Sequence, residues 1–372
     1  VGQDSEVYVG LDTSKLKVSV AIAVAGRDGE VRFFGDIDSS PEAVGRLVAK
    51  LGKRHSHLSF CYEAGPTGYG LYRQITELGH ACIVVAPSLI PQRPGDRVKT
   101  NRRDALALAK VHRAGELTPV WVPDPKHEAI RELVRAREAA MEHLRRARQH
   151  LQSFLLRQGR IFTGRCAWTK AHTVWLCKQK FDHPAQHIVL EEYRQTIDDA
   201  KIRLERLTRQ VTEAASQWSM APVIKAYQAM RGVALLTAVT FVAEIGDVRR
   251  FASPQQLMAY LGLVPSESST GDRVRRGGIT KAGNGRARRV LLEGAWTYRF
   301  PARVGVDLQA RQEGQSEEVR AIAWKAQVRL CGRYRKMMAR GERQTVVITA
   351  IAREMAAFLW AIGGKVEPLA AV

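Results

Sequence analysis

In EVYVGLD, Val7, Val9 and Leu11 alternate with Tyr8, Gly10 and Asp12. That period predicts a strand with one apolar face and one mixed face that carries Asp12. LKVSVAIA and VRFFGDID repeat the alternation and are separated by the turn-forming AGRDGE. From there the period changes. PEAVGRLVAKLGKR reads as a helix, LSFCYEA as a strand, GYGLYRQITELG as a helix and ACIVVAP as a strand. A further helix begins within VKTNRRDALALAK.

Three consecutive strands on short turns make an antiparallel meander, and strands alternating with helices extend it in parallel. This is the topology of an α/β RNase H-like fold, expected over residues 1–125. The next region, 126–225, carries heptads. Ile130, Arg137, Leu144 and Leu151 fall at one position, and Leu133, Ala140, Ala147 and Phe154 at another. A second set places Ile197, Leu204, Val211 and Trp218 in phase, with Ala200, Leu207 and Ala214 between them. These two sets predict an α-helical coiled coil, either a hairpin or an intermolecular assembly, with Arg137 helping to set register. The intervening insert mixes Trp168 and Trp175 with Lys170, Lys178 and Lys180. Such aromatic and cationic residues can stack on bases or pack on a neighbouring helix. Residues 226–372 read as mainly helical. They include an apolar helix stopped at Gly246, a helix entered through Ser253–Pro254, and a Gly-rich polar loop, SESSTGDRVRRGGITKAGNGRARR, that leads into RVLLEGAWTYR.

Composition narrows the partner. The chain has 372 residues, 45% of them hydrophobic, and 58 Lys and Arg against 37 Asp and Glu, a net charge of +21. An excess of this size is the footprint of a polyanion partner, most often nucleic acid. The five cysteines form no CxxC pair, which suits a reducing compartment. Cys166, His172, Cys177 and His183 are spaced more widely than structural zinc ligands usually are. No apolar run reaches the ~18 residues of a membrane span, and no signal peptide is visible. The expectation is a soluble, cytoplasmic protein without a membrane partner, associated with the nucleoid when bound to DNA.

The candidate chemistry begins with acids. Asp12 lies on the first strand, Glu63 ends the fourth, and Asp104 follows Asn101 by three residues at a helix start. Residues at that spacing share a helix face. Gathered carboxylates repel unless a hard cation such as Mg²⁺ takes their oxygens. Asn101 has two readings on equal footing, an N-cap or a fourth ligand.

The motifs YVGLDTSKLKVSVAIA, CYEAGPTGYGLYR, GDRVKTNRRDALALAKVHRAGELTPVWVPD and YLGLVPSESSTGDRVRRGGITKAGNGRARRVLLEGAW occur in order along nearly the whole chain. Together they resemble the DEDD transposases of the insertion sequence 110 family, in particular its 1111 group, which are recombinases guided by a bridge RNA. The resemblance implies a RuvC-like domain, a coiled-coil linker and a C-terminal transposase domain. It places the four acidic positions, a Mg²⁺ site, at Asp12, Glu63, Asn101 and Asp104, with Asn standing where the family has Asp. It also implies a serine nucleophile that links transiently to DNA, placed before the glycine of a short SG motif. Counting along the motif favours Thr270, whereas the less hindered primary hydroxyl favours Ser269, which is preferred here. Lys99, Arg102, Arg103, Arg273, Arg275, Arg276, Lys281, Arg286, Arg288 and Arg289 are the expected nucleic-acid contacts. Arginines of the loop can neutralise a scissile phosphate, while Gly277, Gly278 and Gly283 let backbone approach DNA. The implied partners are donor and target DNA, a guide RNA, and further copies of the chain as a dimer or tetramer, with a composite site built from both domains. Two other functions stay open: a metal-dependent nuclease without a covalent intermediate, and a non-catalytic nucleic-acid-binding protein.

Overall fold

The computed structural model describes residues 6–91, 100–271 and 273–370. The chain forms two compact units, one ending at Pro123 and the other beginning at Asp124. In the first unit, β1 (Glu6–Thr13), β2 (Lys17–Val24) and β3 (Val31–Asp38) precede α1 (Pro41–Gly52). Then come β4 (His57–Glu63), α2 (Gly70–Glu77), β5 (Ala81–Val85) and α3 (Asn101–Arg113). The sheet order is β3-β2-β1-β4-β5. β1 is antiparallel to β2 and parallel to β4, and β4 is parallel to β5. The unit is therefore a mixed α/β sheet, in the order the hydrophobic period predicts.

Alternation sorts the strand residues between two faces. Val7, Val9, Leu11, Val18, Val20, Ile22, Leu58, Phe60 and Tyr62 pack with Val44, Leu47, Val48 and Leu51 of α1. Ser40 caps that helix by accepting the Ala43 N–H, and Pro41 suits its first turn. The opposite face is built from small residues. Ala21 and Ala23 pack on Ala105 and Ala109, so α3 lies close against the sheet.

The second unit starts with two long helices, α4 (Pro125–Arg157) and α6 (Pro184–Gln217), separated by the short α5 (Lys170–Cys177). They run antiparallel, since Gln158 meets Gln186 and Arg137 meets Thr208. Leu144, Ala147, Leu151, Phe154, Leu190, Ile197 and Ala200 are buried between them and α5. Arg137 sits at the seam and donates from Nε to Thr208 Oγ1 at 2.9 Å, which satisfies a polar group that an apolar seam would strand. In the insert, His172 packs among Phe162, Trp168 and Trp175, and the Arg148 guanidinium lies 4.9 Å from the Trp168 ring centre. The His183 ring caps α6 by accepting the Ala185 N–H.

The remaining elements are α7 (Ala221–Tyr227), α8 (Leu235–Ile245), α9 (Pro254–Tyr260), β6 (Pro265–Glu267), β7 (Arg276–Ile279), α10 (Gly285–Ala295), α11 (Val306–Gln312), α12 (Glu317–Ala339) and α13 (Gln344–Gly363). Gly246 ends α8 with a φ of 76°, a conformation open to glycine. Ser253 caps α9. Two expectations need correcting. The Gly-rich segment is not wholly irregular, because β6 and β7 pair as an antiparallel ribbon. In addition, α13 is long and apolar enough to cross a membrane by length and composition. A search for uninterrupted apolar runs passes over it because Arg353 and Glu354 break the sequence. Here its Val347, Ile351, Met355, Leu359 and Ile362 are buried in the core of the second unit.

Candidate nucleic-acid-processing site

The register of the first sheet aligns the acids. β1 and β4 run parallel with Gly10 opposite Cys61 and Leu11 opposite Tyr62, so Asp12 and Glu63 follow as neighbours at the same end of the sheet. Asp12 is also opposite Ser19, and Ser19 is opposite Asp36. The Ser19 hydroxyl donates to Asp36 at 2.7 Å. Asp36 thus belongs to the row, although the sequence pattern alone did not single it out. Alternation along VRFFGDID does not reveal it, because a register shift beside Val20 is what sets Asp36 opposite Ser19.

Helix α3 runs against this face in the opposite direction. At its far end, the Tyr8 and His112 rings meet edge-on with centres 5.2 Å apart, and Ser59 Oγ lies 2.9 Å from His112 Nε2. Burial of His112 lowers its pKa. One strand period further, Gly10 faces Ala105 and Ala109, and the Cys61 thiol reaches the Leu108 carbonyl. The next period brings Asp12 and Glu63 level with the first turn of α3, where Asn101 and Asp104 stand. Thr100 is the N-cap, accepting the Arg103 N–H at 3.3 Å. Asn101 is therefore not the cap. It occupies the first helical position, exposed, with its amide uncommitted to capping.

Every donor in this set is a hard oxygen, which fits Mg²⁺ or another divalent cation in chemistry. Among the described residues, no three Asp, Glu, His or Cys side chains converge into a ready metal cage. Arg102 lies over the Phe33 ring at 5.3 Å, and Arg103 is exposed on the same turn. Lys99 lies outside the described residues.

In the second unit, the β6–β7 ribbon presents the candidate nucleophiles. Ser269 Oγ donates to Glu267 Oε1 at 2.9 Å and accepts the Arg275 N–H at 3.3 Å. The other Glu267 oxygen takes Arg276 Nε at 3.3 Å. The Ser269 hydroxyl and the Arg276 guanidinium hold the Glu267 carboxyl below its usual pKa. Thr270 instead closes the turn, exchanging backbone hydrogen bonds with Arg273 across Gly271, whose φ is 57°. Glu267 is a second residue that the sequence pattern did not single out; it lies two residues before Ser269, and the strand pairing sets it opposite Arg276. Arg273, Arg275 and Lys281 are exposed.

The basic helix that follows is held differently. Asn284 caps α10, and its side-chain N–H donates to buried Glu244 at 2.6 Å. Arg135 donates to both Glu244 oxygens, at 2.9 and 3.0 Å. Burial pushes the Glu244 carboxyl up, but Arg135 and Asn284 outweigh it and leave the pKa lowered. Arg286 and Arg289 pair with Glu138 at 2.6 and 3.0 Å, and Arg288 donates to the Leu261 and Ala282 carbonyls. These three arginines dock α10 within its unit, in contrast to the exposed cations of the ribbon. Glu244→Ala would remove the buried partner of Arg135 and of Asn284, leaving Arg135 only the exposed Glu132. The expected loss is about 2–4 kcal/mol, read as a fall in Tm of about 5–10 °C. Glu138→Ala, at a more exposed pair, should cost less than half of that in the same thermal melt.

Comparison with known proteins identifies the chain. A family model for a DEDD transposase domain matches residues 9–158, and one described as the transposase IS116/IS110/IS902 family matches residues 225–316. A putative transposase, y4qE, from Sinorhizobium fredii is 54% identical over 357 residues, covering 96% of this chain and 88% of the relative. The chain belongs to the IS110 family of transposases. A transposase for insertion sequence element IS1533 from Leptospira borgpetersenii is 29% identical over 89% of this chain and 96% of its own length. One for element IS1111A from Coxiella burnetii is 41% identical over 68 residues, 18% of this chain and 19% of the relative.

The protein is thus a transposase whose substrate is DNA. The two matched regions divide its candidate chemistry. The first contains Asp12, Glu63, Asn101 and Asp104, and a DEDD domain points to use of a divalent metal. The second contains Ser269, Thr270 and helix α10 of the transposase.

Proposed function

We propose that this transposase cuts and rejoins DNA through a covalent bond to Ser269, at sites chosen by base pairing with a guide RNA. The observation that carries the chemical part is the Ser269 hydroxyl, already donating its proton to a carboxylate 2.9 Å away on an exposed, arginine-rich ribbon. A hydroxyl held this way can attack phosphorus while Glu267 takes its proton. The new P–Oγ bond forms as one bridging P–O bond breaks, and the departing sugar oxygen leaves as an alcohol after regaining a proton. Religation reverses these steps, with the sugar hydroxyl of a second strand as attacker. Arg273, Arg275 and Arg276 would meet the charge that gathers on the phosphate. The guide RNA rests on the motif resemblance, and it fits a protein whose broad positive charge suits backbone rather than base recognition.

The first unit supports an RNase H-like, RuvC-like reading through its strand order β3-β2-β1-β4-β5 and its antiparallel-to-parallel switch at β1. There Asp12, Glu63 and Asp104, with Asn101, would hold Mg²⁺. When bound, the ion supplies positive charge at phosphate oxygens. Asp36, two strands from Asp12 with Ser19 between them, would hold Ser19 and add negative potential to the row. The α4–α6 hairpin would serve as the coiled-coil element through which copies assemble as a dimer or tetramer. In domain terms, we assign residues 1–125 to the RuvC-like part, 126–225 to the coiled-coil region and 226–372 to the transposase part.

Asn101→Asp adds a charge to the donor set at an exposed position that does not have to cap the helix. Divalent metal should bind about tenfold more tightly in calorimetry, since affinity for hard cations rises with ligand charge, with equal or greater strand cleavage. Weaker metal binding in that variant would remove Asn101 from the ligand set. The covalent step is tested by incubating the protein with Mg²⁺, element-end DNA and RNA from the flanks of the element, then quenching in denaturant. Peptide mass spectrometry should find a nucleotide on the segment 263–273. DNA that is cut without an adduct would replace this reading by hydrolysis at the acidic row.

A further inference from the structure

Helix α12 lies beyond both regions matched by the family models. Lys325, Arg329, Arg333, Lys336 and the C-cap residue Arg340 recur at intervals of three or four residues, which puts all of them on one helix face. At 1.5 Å per residue this stripe is about 22 Å long. It borders an open groove of about 490 Å³ lined by Val328, Arg329, Gly332, Arg333, Lys336 and Arg340. A second hollow of about 360 Å³ continues past Arg329 and Arg333 to Arg353 on α13.

The charges are arranged in two ways. Glu354, mostly buried, takes Arg329 at 2.6 Å and Arg333 at 2.7 Å, and so anchors both guanidinium groups at one carboxylate. Among the described residues, no ion pair holds Lys325, Lys336 or Arg340. The cations along the groove outnumber its two carboxylates, Glu342 and Glu354.

Gly332 leaves open space in the middle of the stripe. A glycine in a helix interior is destabilising relative to alanine, because it has more backbone freedom to lose. It is usually tolerated where another element packs too closely for a Cβ. At Gly332 a Cβ would meet nothing within 4 Å, so nothing in the described chain requires the gap. The gap opens onto the groove between Arg329, Arg333 and Lys336.

We propose that this groove on α12 binds the sugar–phosphate backbone of a nucleic-acid strand, with Gly332 as the point of closest approach. The inference rests on the protein being a nucleic-acid-processing transposase, but it concerns binding and not the covalent step. Fixed arginine forks suit phosphate oxygens, and the lysines add charge without demanding geometry. The groove would hold a segment of substrate or guide away from the reacting phosphate.

The test uses the full-length protein, with K336A/R340A and, separately, Gly332→Glu. Binding of labelled element-end DNA and of flank RNA is measured over a range of salt. Removing one cation–phosphate pair lowers the slope of log K against log salt by about 0.9 on duplex DNA and about 0.7 on single strands. The double variant should therefore reduce the slope by about one to two units with at least one of the two ligands. Gly332→Glu sets a like charge against the phosphates and should weaken the same ligand about tenfold or more at unchanged Tm. Whichever ligand responds is the groove's occupant. Unchanged slopes and affinities with both ligands overturn the proposal. Covalent adduct formation at saturating DNA is followed in parallel. If wild type gives no adduct while the slopes still shift, the groove stands and the recombination chemistry falls.

Discussion

Ser269→Ala should bind DNA as wild type does and yet yield no covalent adduct, with strand exchange reduced by about 10³-fold or more, the scale on which loss of a nucleophile is felt. The substitution removes one hydroxyl and no charge. The ribbon does not depend on that hydroxyl, since Ser268 bonds Arg275 and Thr270 bonds Arg273 through backbone groups. Arg275 N–H loses an acceptor at an exposed site, where water replaces it. Glu267→Gln separates proton acceptance from position, because an amide oxygen can still receive the Ser269 hydrogen bond. That variant should be slowed about 10²-fold with the adduct still on Ser269. An adduct that survives Ser269→Ala and disappears in Thr270→Val would move the nucleophile to Thr270. In that case the Ser269–Glu267 hydrogen bond only holds the ribbon in shape.

The second large effect is expected in the other unit. A Cβ built on Gly10 would lie well inside contact distance of the Ala105 carbonyl oxygen and 2.5 Å from the Ala109 nitrogen. Both are backbone atoms of α3, so no side chain can swing away to make room. The helix itself has to shift, and Asn101 and Asp104 ride on its first turn. Overpacking of this kind costs about 1–3 kcal/mol. Displacing the first turn by about 1 Å would cost about 10²-fold in activity. Gly10→Ala should therefore unfold at lower temperature and bind divalent metal weakly, even while nucleic acid still binds the second unit. Gly45→Ala is the matched control. Its Cβ would meet nothing within 4 Å on α1, and its Tm should be equal or slightly raised. Metal affinity in Gly10→Ala equal to wild type would separate α3 from the acidic row.

Much of this architecture is legible in the amino-acid pattern. Alternation in EVYVGLD, LKVSVAIA and VRFFGDID marks β1 to β3, and the change of period after Asp38 marks the alternating part. The heptads place α4 and α6, although α6 begins at Pro184 and its seam already includes Leu190, one heptad before Ile197. The ribbon is harder to see. Its strands are only three and four residues long, both largely exposed, and so carry no hydrophobic period.

At the candidate site the division follows from the range of the interactions. Chain order alone points to Asp12, Glu63 and Asp104, because each sits at the end or start of an element whose type is set by its own local period. Which neighbour does what is a different matter. Thr100 rather than Asn101 caps α3, because only the backbone angles at the helix entry decide which side chain can reach the Arg103 N–H. Asp36 joins the row through the β2–β3 register, and Glu267 reaches Ser269 through the fold of one ribbon. Glu138 and Glu244 claim Arg286, Arg289, Arg135 and Asn284 from positions far away in the chain. A sequence displays the charge of an arginine but not whether a carboxylate already holds it. Periodicity is local and survives without a partner, so the periodic elements were determined by sequence alone, whereas the ribbon was not. Hydrogen bonds and ion pairs between distant residues exist only once those elements pack, so their assignment belonged to the tertiary structure.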